Sequence, residues 1–227
     1  MKINLTSTDY MRIGILVLVF VVGITGSYYI LKPKERLPIY NPSELDRRLV
    51  EEDLREVGID HKVLPFGLIN QFGDSVNTET VQSKIYVADF FFTVCPDICK
   101  DMAVQKRRLQ EVMKDEEDFL ILSHSVTPEM DSVPVLKAYA DLHEAIPGKW
   151  HILTGDKPQI YNLARRSYFA IFDQGGNGDE ADFIHTENFV LVDKLKRIRG
   201  YYDGTSEADV DRLISDYQIL KAEYEPK

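Results

Sequence analysis

Nineteen uncharged residues, Ile13 to Leu31 (IGILVLVFVVGITGSYYIL), stand apart from everything that follows them. A bilayer core needs about 20 apolar residues as a helix, so this stretch reads as a retained membrane anchor. A cleaved signal is the alternative, but Thr25-Gly26-Ser27 is a poor small-residue cleavage site, and Tyr28 to Leu31 stays apolar beyond it. Lys32 to Asn41, with Pro33, Pro38 and mixed charge, reads as a tether. Ser43 to Val57 is highly charged and helix-compatible. From His61 onward, short apolar runs alternate with stretches of helical period. Pro65 to Val76 predicts a hairpin around Gly73-Asp74. Ile85 to Phe92 (IYVADFFF) predicts a buried strand interrupted only by Asp89. A helix follows from Cys95, with Pro96 at its first position and Ile98, Met102, Leu109 and Val112 on one stripe.

Phe119 to Ser125 predicts the next strand. A helix capped at Asp131-Ser132 runs to His143, with Val135, Leu136, Tyr139 and Leu142 as its apolar face. Trp150 to Leu153 is a short strand and Lys157 to Tyr168 a helix. Asp173 to Glu180 is a glycine-rich polar loop. Asn188 to Asp193 and Arg197 to Tyr202 read as antiparallel strands, and Ser206 with Asp209 opens a closing helix to Tyr224. Alternation predicts a parallel core with antiparallel strands added at its edge. A cysteine-bearing helix after a central strand, in this order, is the thioredoxin-like arrangement: an α/β sheet flanked by helices, with an N-terminal transmembrane helix. The expected division is 1–36 for the anchor and its flanks, 37–60 for the tether and charged surface segment, and 61–227 for the thioredoxin-like domain.

Charge narrows the function. The chain has net charge −10, and residues 37–227 alone carry 22 basic and 35 acidic side chains. Such a domain does not follow nucleic-acid phosphates. Lys2 and Arg12 precede the apolar stretch and Lys32, Lys34 and Arg36 follow it. Counted literally, that places the large C-terminal part in the cytoplasm, although the bias is small.

The chain has two cysteines, Cys95 and Cys99. Four apart on a helix, they share a face with β-carbons roughly 5–6 Å apart. The helix N-terminus carries about half a positive charge, which favours a reactive, metal-binding thiolate. Two buried thiols serving only as small hydrophobes is the plain reading. Its rivals are a disulfide and a soft metal, Cu(I) or Zn(II), held by both sulfurs and a third ligand. Three residues separate the cysteines, where thioredoxin-type redox motifs have two. Of the five histidines, His61 and His143 read as solvated, and His124 and His151 as structural hydrogen-bonders. His185, after the glycine-rich loop and just before a strand, is the candidate third ligand.

These residues resemble the Sco/SenC family of copper-binding cytochrome c oxidase assembly proteins. The resemblance rests on Cys95-Pro96-Asp97-Ile98-Cys99 after an aromatic strand and on His185 before a late strand. It extends to Val63 to Gly73, Ser123 to Asp131 and Trp150 to Gly155, covering about residues 60–220. Thr127-Pro128 stands where the family usually has Asp-Pro, Lys100 where it has proline, and Phe92 where it has tyrosine. The resemblance implies Cys95 and Cys99 as thiolate ligands and His185 as the imidazole ligand of copper, as Cu(I) and also Cu(II). Asp97 would support the site, or simply place a favourable charge in the first helical turn. It further implies a membrane-anchored chaperone whose partner is cytochrome c oxidase subunit II or another copper-accepting protein. The soluble domain would lie outside the cytoplasm, in the periplasm or the equivalent intermembrane space, against the charge count. A thiol-disulfide oxidoreductase or redox sensor using the same cysteine pair is the alternative. A non-catalytic module whose acidic face recruits partners is a third reading.

Overall fold

The computed structural model describes residues 7–31, 35–95, 98–170 and 186–225. The chain divides into two units, residues 1–36 and residues 37–227. In the first, Ser7–Leu31 forms one helix (α1). Its segment Tyr10–Ser27 has a mean hydropathy of 1.9 and is long and apolar enough to cross a membrane.

The second unit is built on a seven-stranded sheet: β1 (Gly67–Asn70), β2 (Ser75–Asn77), β3 (Ile85–Phe91), β4 (Phe119–Ser125), β5 (Trp150–Thr154), β6 (Asn188–Val192) and β7 (Ile198–Asp203), in the order β2-β1-β5-β4-β3-β6-β7. β3, β4 and β5 are parallel neighbours, while β1, β6 and β7 join them antiparallel. The parallel strands are buried at nearly every position, as strands covered on both faces must be. The hairpin turns on Gly73, whose φ of +86° favours glycine, while the Asn70 carboxamide oxygen accepts from the Phe72 and Asp74 amides at 2.9 Å each. Gln71 pins the hairpin to β5: its side chain donates to Trp150 O and accepts from Ile152 N, both at 2.9 Å.

Among the described residues four helices flank the sheet: α2 (Ile98–Val112), α3 (Val133–Leu142), α4 (Lys157–Asn162, continuing as a wider turn to Ser167) and α5 (Glu207–Tyr224). The α4 N-cap is Asp156, accepting from Gln159 N at 3.0 Å, and Ser206 caps α5 through Asp209 N at 3.3 Å. The buried side of α2 is Cys99, Met102, Ala103, Lys106, Leu109 and Gln110, so two polar residues join Met102 and Leu109 of the expected stripe, while Val112, expected on it, is 53% exposed.

Ser43 to Val57 forms only two short 3₁₀ turns, Pro42–Glu44 and Glu52–Leu54. The chain from Leu37 to Val63 nevertheless runs against the β7 edge. Tyr40 N donates to Ile198 O and Val63 N to Lys196 O, both at 2.9 Å, and Val50 is fully buried. Arg199 donates to the carbonyls of Pro38 (2.9 Å) and Leu37 (2.8 Å) and to Glu223 (2.7 Å). An uncovered β7 would offer unpaired backbone groups to other chains.

Candidate metal centre

β3 ends at Phe91, and the turn that follows closes with Cys95 N donating to Phe92 O at 3.3 Å. Cys95 therefore precedes α2, whose described part begins at Ile98, and Cys99 sits in its first turn. Pro96 and Asp97 lie outside the described residues. Both thiols are free and both residues are 6% exposed. Both line one cleft, so the motif brings the two thiols to a common site although Cys95 precedes the helix.

The turn is held from the side. Asp131, 1% exposed, accepts from Thr93 Oγ1 at 2.5 Å and from Ser125 Oγ at 2.6 Å, with Thr93 N at 3.3 Å and Thr127 Oγ1 at 3.1 Å. One carboxylate thus ties the residue two before Cys95 to the end of β4. The expected helix cap at Asp131 hid this role, since nothing local in the sequence marks a tie to Thr93.

Beneath the cysteines lies a polar knot. Lys106 and Asp89 are fully buried and paired at 2.6 Å, and Ser123 Oγ donates to Asp89 at 2.5 Å. Lys106 Nζ also donates to Ser123 (3.1 Å), as does Trp150 Nε1 (2.9 Å). The ammonium stands 5.1 Å from the ring centres of both Phe91 and Trp150. Burial pushes the Cys99 thiol up to about 12; a backbone hydrogen bond with Phe92 and the Lys106 charge act in the opposite direction.

The thiols open into a cleft of about 360 Å³. Thr93 and Cys95 form its floor, α2 lines it with Cys99, Lys100, Val104 and Arg107, and Tyr139, Leu142 and His143 close it from the α3 side. His143, expected to be solvated, is half-buried here against Tyr139, ring centres 4.3 Å apart. His61 is also not free: its Nε2 meets Ser167 O at 2.9 Å and its ring packs on Phe169. His124 Nδ1 contacts Asp89 O at 3.1 Å and its ring stacks on Phe90. His185 lies outside the described residues. Among the described residues no three His, Cys, Asp or Glu side chains gather as a metal site. Two adjacent free thiols in an open cleft are nonetheless a donor set that fits a soft cation such as Cu(I).

All four described histidines are held below their ordinary range, burial being the first cause in each. His124 is the extreme, lowered to about 4. The unfolded chain protonates this ring near 6.5. Below that pH the unfolded state takes up a proton that the folded state refuses. Its contribution to stability is therefore full above about 6.5 and is lost as pH falls to about 4, a span worth ~3 kcal/mol. Urea unfolding between pH 7.5 and 4.5 should show this decline, and His124→Gln should flatten it. An equal slope in the variant would contradict the assignment.

Residues 56–219 match the SCO1/SenC family model. The SCO1 protein homolog of Bacillus subtilis is 33% identical over 160 residues, covering 70% of this chain and 82% of its own. Among solved structures, BsSco is described as a member of the Sco family of cytochrome c oxidase assembly proteins in which a disulfide switch was identified. It superposes with a TM-score of 0.61 at 33% identity, covering 71% of this chain and 94% of that one. Arabidopsis thaliana ScoI, solved with copper bound, gives 0.54 at 26% identity, covering 71% and 98%.

Proposed function

This chain belongs to the SCO1/SenC family, and on that premise we propose that it is a membrane-anchored copper chaperone serving assembly of the copper site of cytochrome c oxidase. One observation carries the reading: the chain's two thiols are free and line one and the same cleft. Cys95 and Cys99 hold the cargo as thiolates, and His185, just before β6, is the third ligand. Loading expels the thiol protons. An acceptor's own thiolates then replace the ligands one at a time, so that the ion is never released to solvent. α1 is the anchor, and the domain from Leu37 onward faces away from the cytoplasm. Copper bound to Arabidopsis thaliana ScoI supports the cargo.

The disulfide switch of BsSco supports a second mode for the same pair. If the two thiols give up two electrons and two protons to an oxidant, a Cys95–Cys99 disulfide forms and the metal site is lost. His185 separates the modes, because thiol exchange needs an attacking and a resolving thiol but no imidazole. His185→Ala should keep a reversible disulfide and weaken copper retention at least tenfold, about 1.4 kcal/mol. Competition against a Cu(I) chelator measures it. Retention equal to wild type would make the redox reading the better one.

A further inference from the structure

The cleft continues beyond the thiols. Part of its lining is apolar yet exposed: Val104 is 57% exposed and Leu142 73%. Leu142 has the spacing of a core residue on α3, but it points to solvent beside the cysteines instead of joining Leu136 and Tyr139 inside. A second hollow of about 440 Å³ adjoins the first along α2 and shares Val104 and Arg107 with it. The result is a groove that starts at the thiols and follows the outer face of α2 through Lys100, Val104 and Arg107. These positions, at i, i+4 and i+7, span about 10 Å of helix, the reach of about three residues of extended chain.

Charge is uneven along it. Residues 37–227 carry net charge −13, yet among the described residues the walls of the cysteine hollow hold two cations, Lys100 and Arg107, and no carboxylate. Arg107 is partly committed to Glu144 at 2.6 Å. Lys100 is exposed and has no ion pair or hydrogen bond among the described residues. In the second hollow, Glu111 and Glu144 balance Arg107 and Arg108. The anion-seeking part of the groove is therefore the end beside the thiols.

We propose that this groove is the docking track for an extended segment of the acceptor protein, carrying a carboxylate next to its reactive thiol and an apolar side chain beyond it. The carboxylate faces Lys100, and the apolar side chain packs between Val104 and Leu142. The thiols, 6% exposed, sit too deep for a flat partner surface; a single extended strand reaches them. The proposal rests on Cys95 and Cys99 being the exchange site.

The test uses the full chain in detergent micelles and two fluorescein-labelled octapeptides, with serine in place of the reactive cysteine so that no covalent step intervenes. One peptide follows that serine with Asp-Leu-Glu, the other with Lys-Leu-Lys, and empty micelles give the blank. Anisotropy should show the acidic peptide binding at least tenfold more tightly. Lys100→Glu should erase the preference, and Leu142→Asp should weaken the acidic peptide at least tenfold. Both side chains are exposed, so circular dichroism should match wild type. Equal binding of the two peptides, or a preference that survives both substitutions, overturns the proposal. Copper stoichiometry of the same wild-type sample keeps the two readings apart. Normal copper with no preference sinks the docking track alone, whereas a preference without copper leaves the track standing and sinks the chaperone.

Discussion

Replacing either Cys95 or Cys99 by alanine is expected to reduce copper binding from one ion per chain to near zero under reducing conditions. With one sulfur gone, the proposed ligand set is reduced to a single thiolate and the His185 imidazole. Competing chelators then outbid it by at least a hundredfold, about 2.7 kcal/mol. The fold should survive, because each substitution removes one sulfur from a residue that borders an open cleft and so leaves no sealed cavity. Anaerobic titration with Cu(I) against a chelator measures the loss, and circular dichroism checks the fold. Tight binding of one copper by either variant would remove the replaced cysteine from the ligand set and contradict the two-thiolate site. The same substitutions end any Cys95–Cys99 disulfide, so they test the pair and not the choice between carriage and redox. That choice belongs to His185.

Lys106→Ala should destabilise the domain by about 3–5 kcal/mol, because it leaves the Asp89 carboxylate buried with no opposing charge. Asp89→Ala should cost a similar amount for the converse reason. The double replacement Asp89→Leu with Lys106→Met should recover most of this, since apolar groups of similar volume substitute for buried pairs at little cost. Trp150, the only tryptophan in the chain and fully buried beside Ser123 and Lys106, gives the signal for urea unfolding. A single variant within about 1 kcal/mol of wild type would mean that water reaches the pair. If the recovered double variant also takes up copper normally, the knot serves the fold and not the cargo.

The pair also shows where sequence reading stops. β3 and β4 were legible because a strand covered on both faces carries a continuous apolar run, as IYVADFFF does around Asp89 and FLILSHS does in its first four residues. Two of their polar residues, Asp89 and Ser123, mark the knot, but its third member was hidden. Lys106 occupies a core position on α2 that a search for apolar period passes over, because its burial is set by a partner 17 residues away. Leu142 is the reverse case, apolar and correctly spaced yet exposed, because the end of α3 overhangs the cleft instead of the sheet. The β7 edge cover was illegible for another reason: Arg199 gathers Leu37, Pro38 and Glu223 from both ends of the domain, and local pattern carries no trace of such contacts. At the site, the cysteine spacing and the aromatic strand before it announced the two thiols. His143 was read as solvated because its position in the cleft depends on how α3 packs.

X-ray absorption at the copper edge of the fully reduced, Cu(I)-loaded chain tests the central claim most directly. Two sulfur scatterers and one nitrogen per copper are predicted, with the nitrogen shell lost in His185→Ala. A shell of nitrogen and oxygen alone, or an all-sulfur shell unchanged by that substitution, would contradict it.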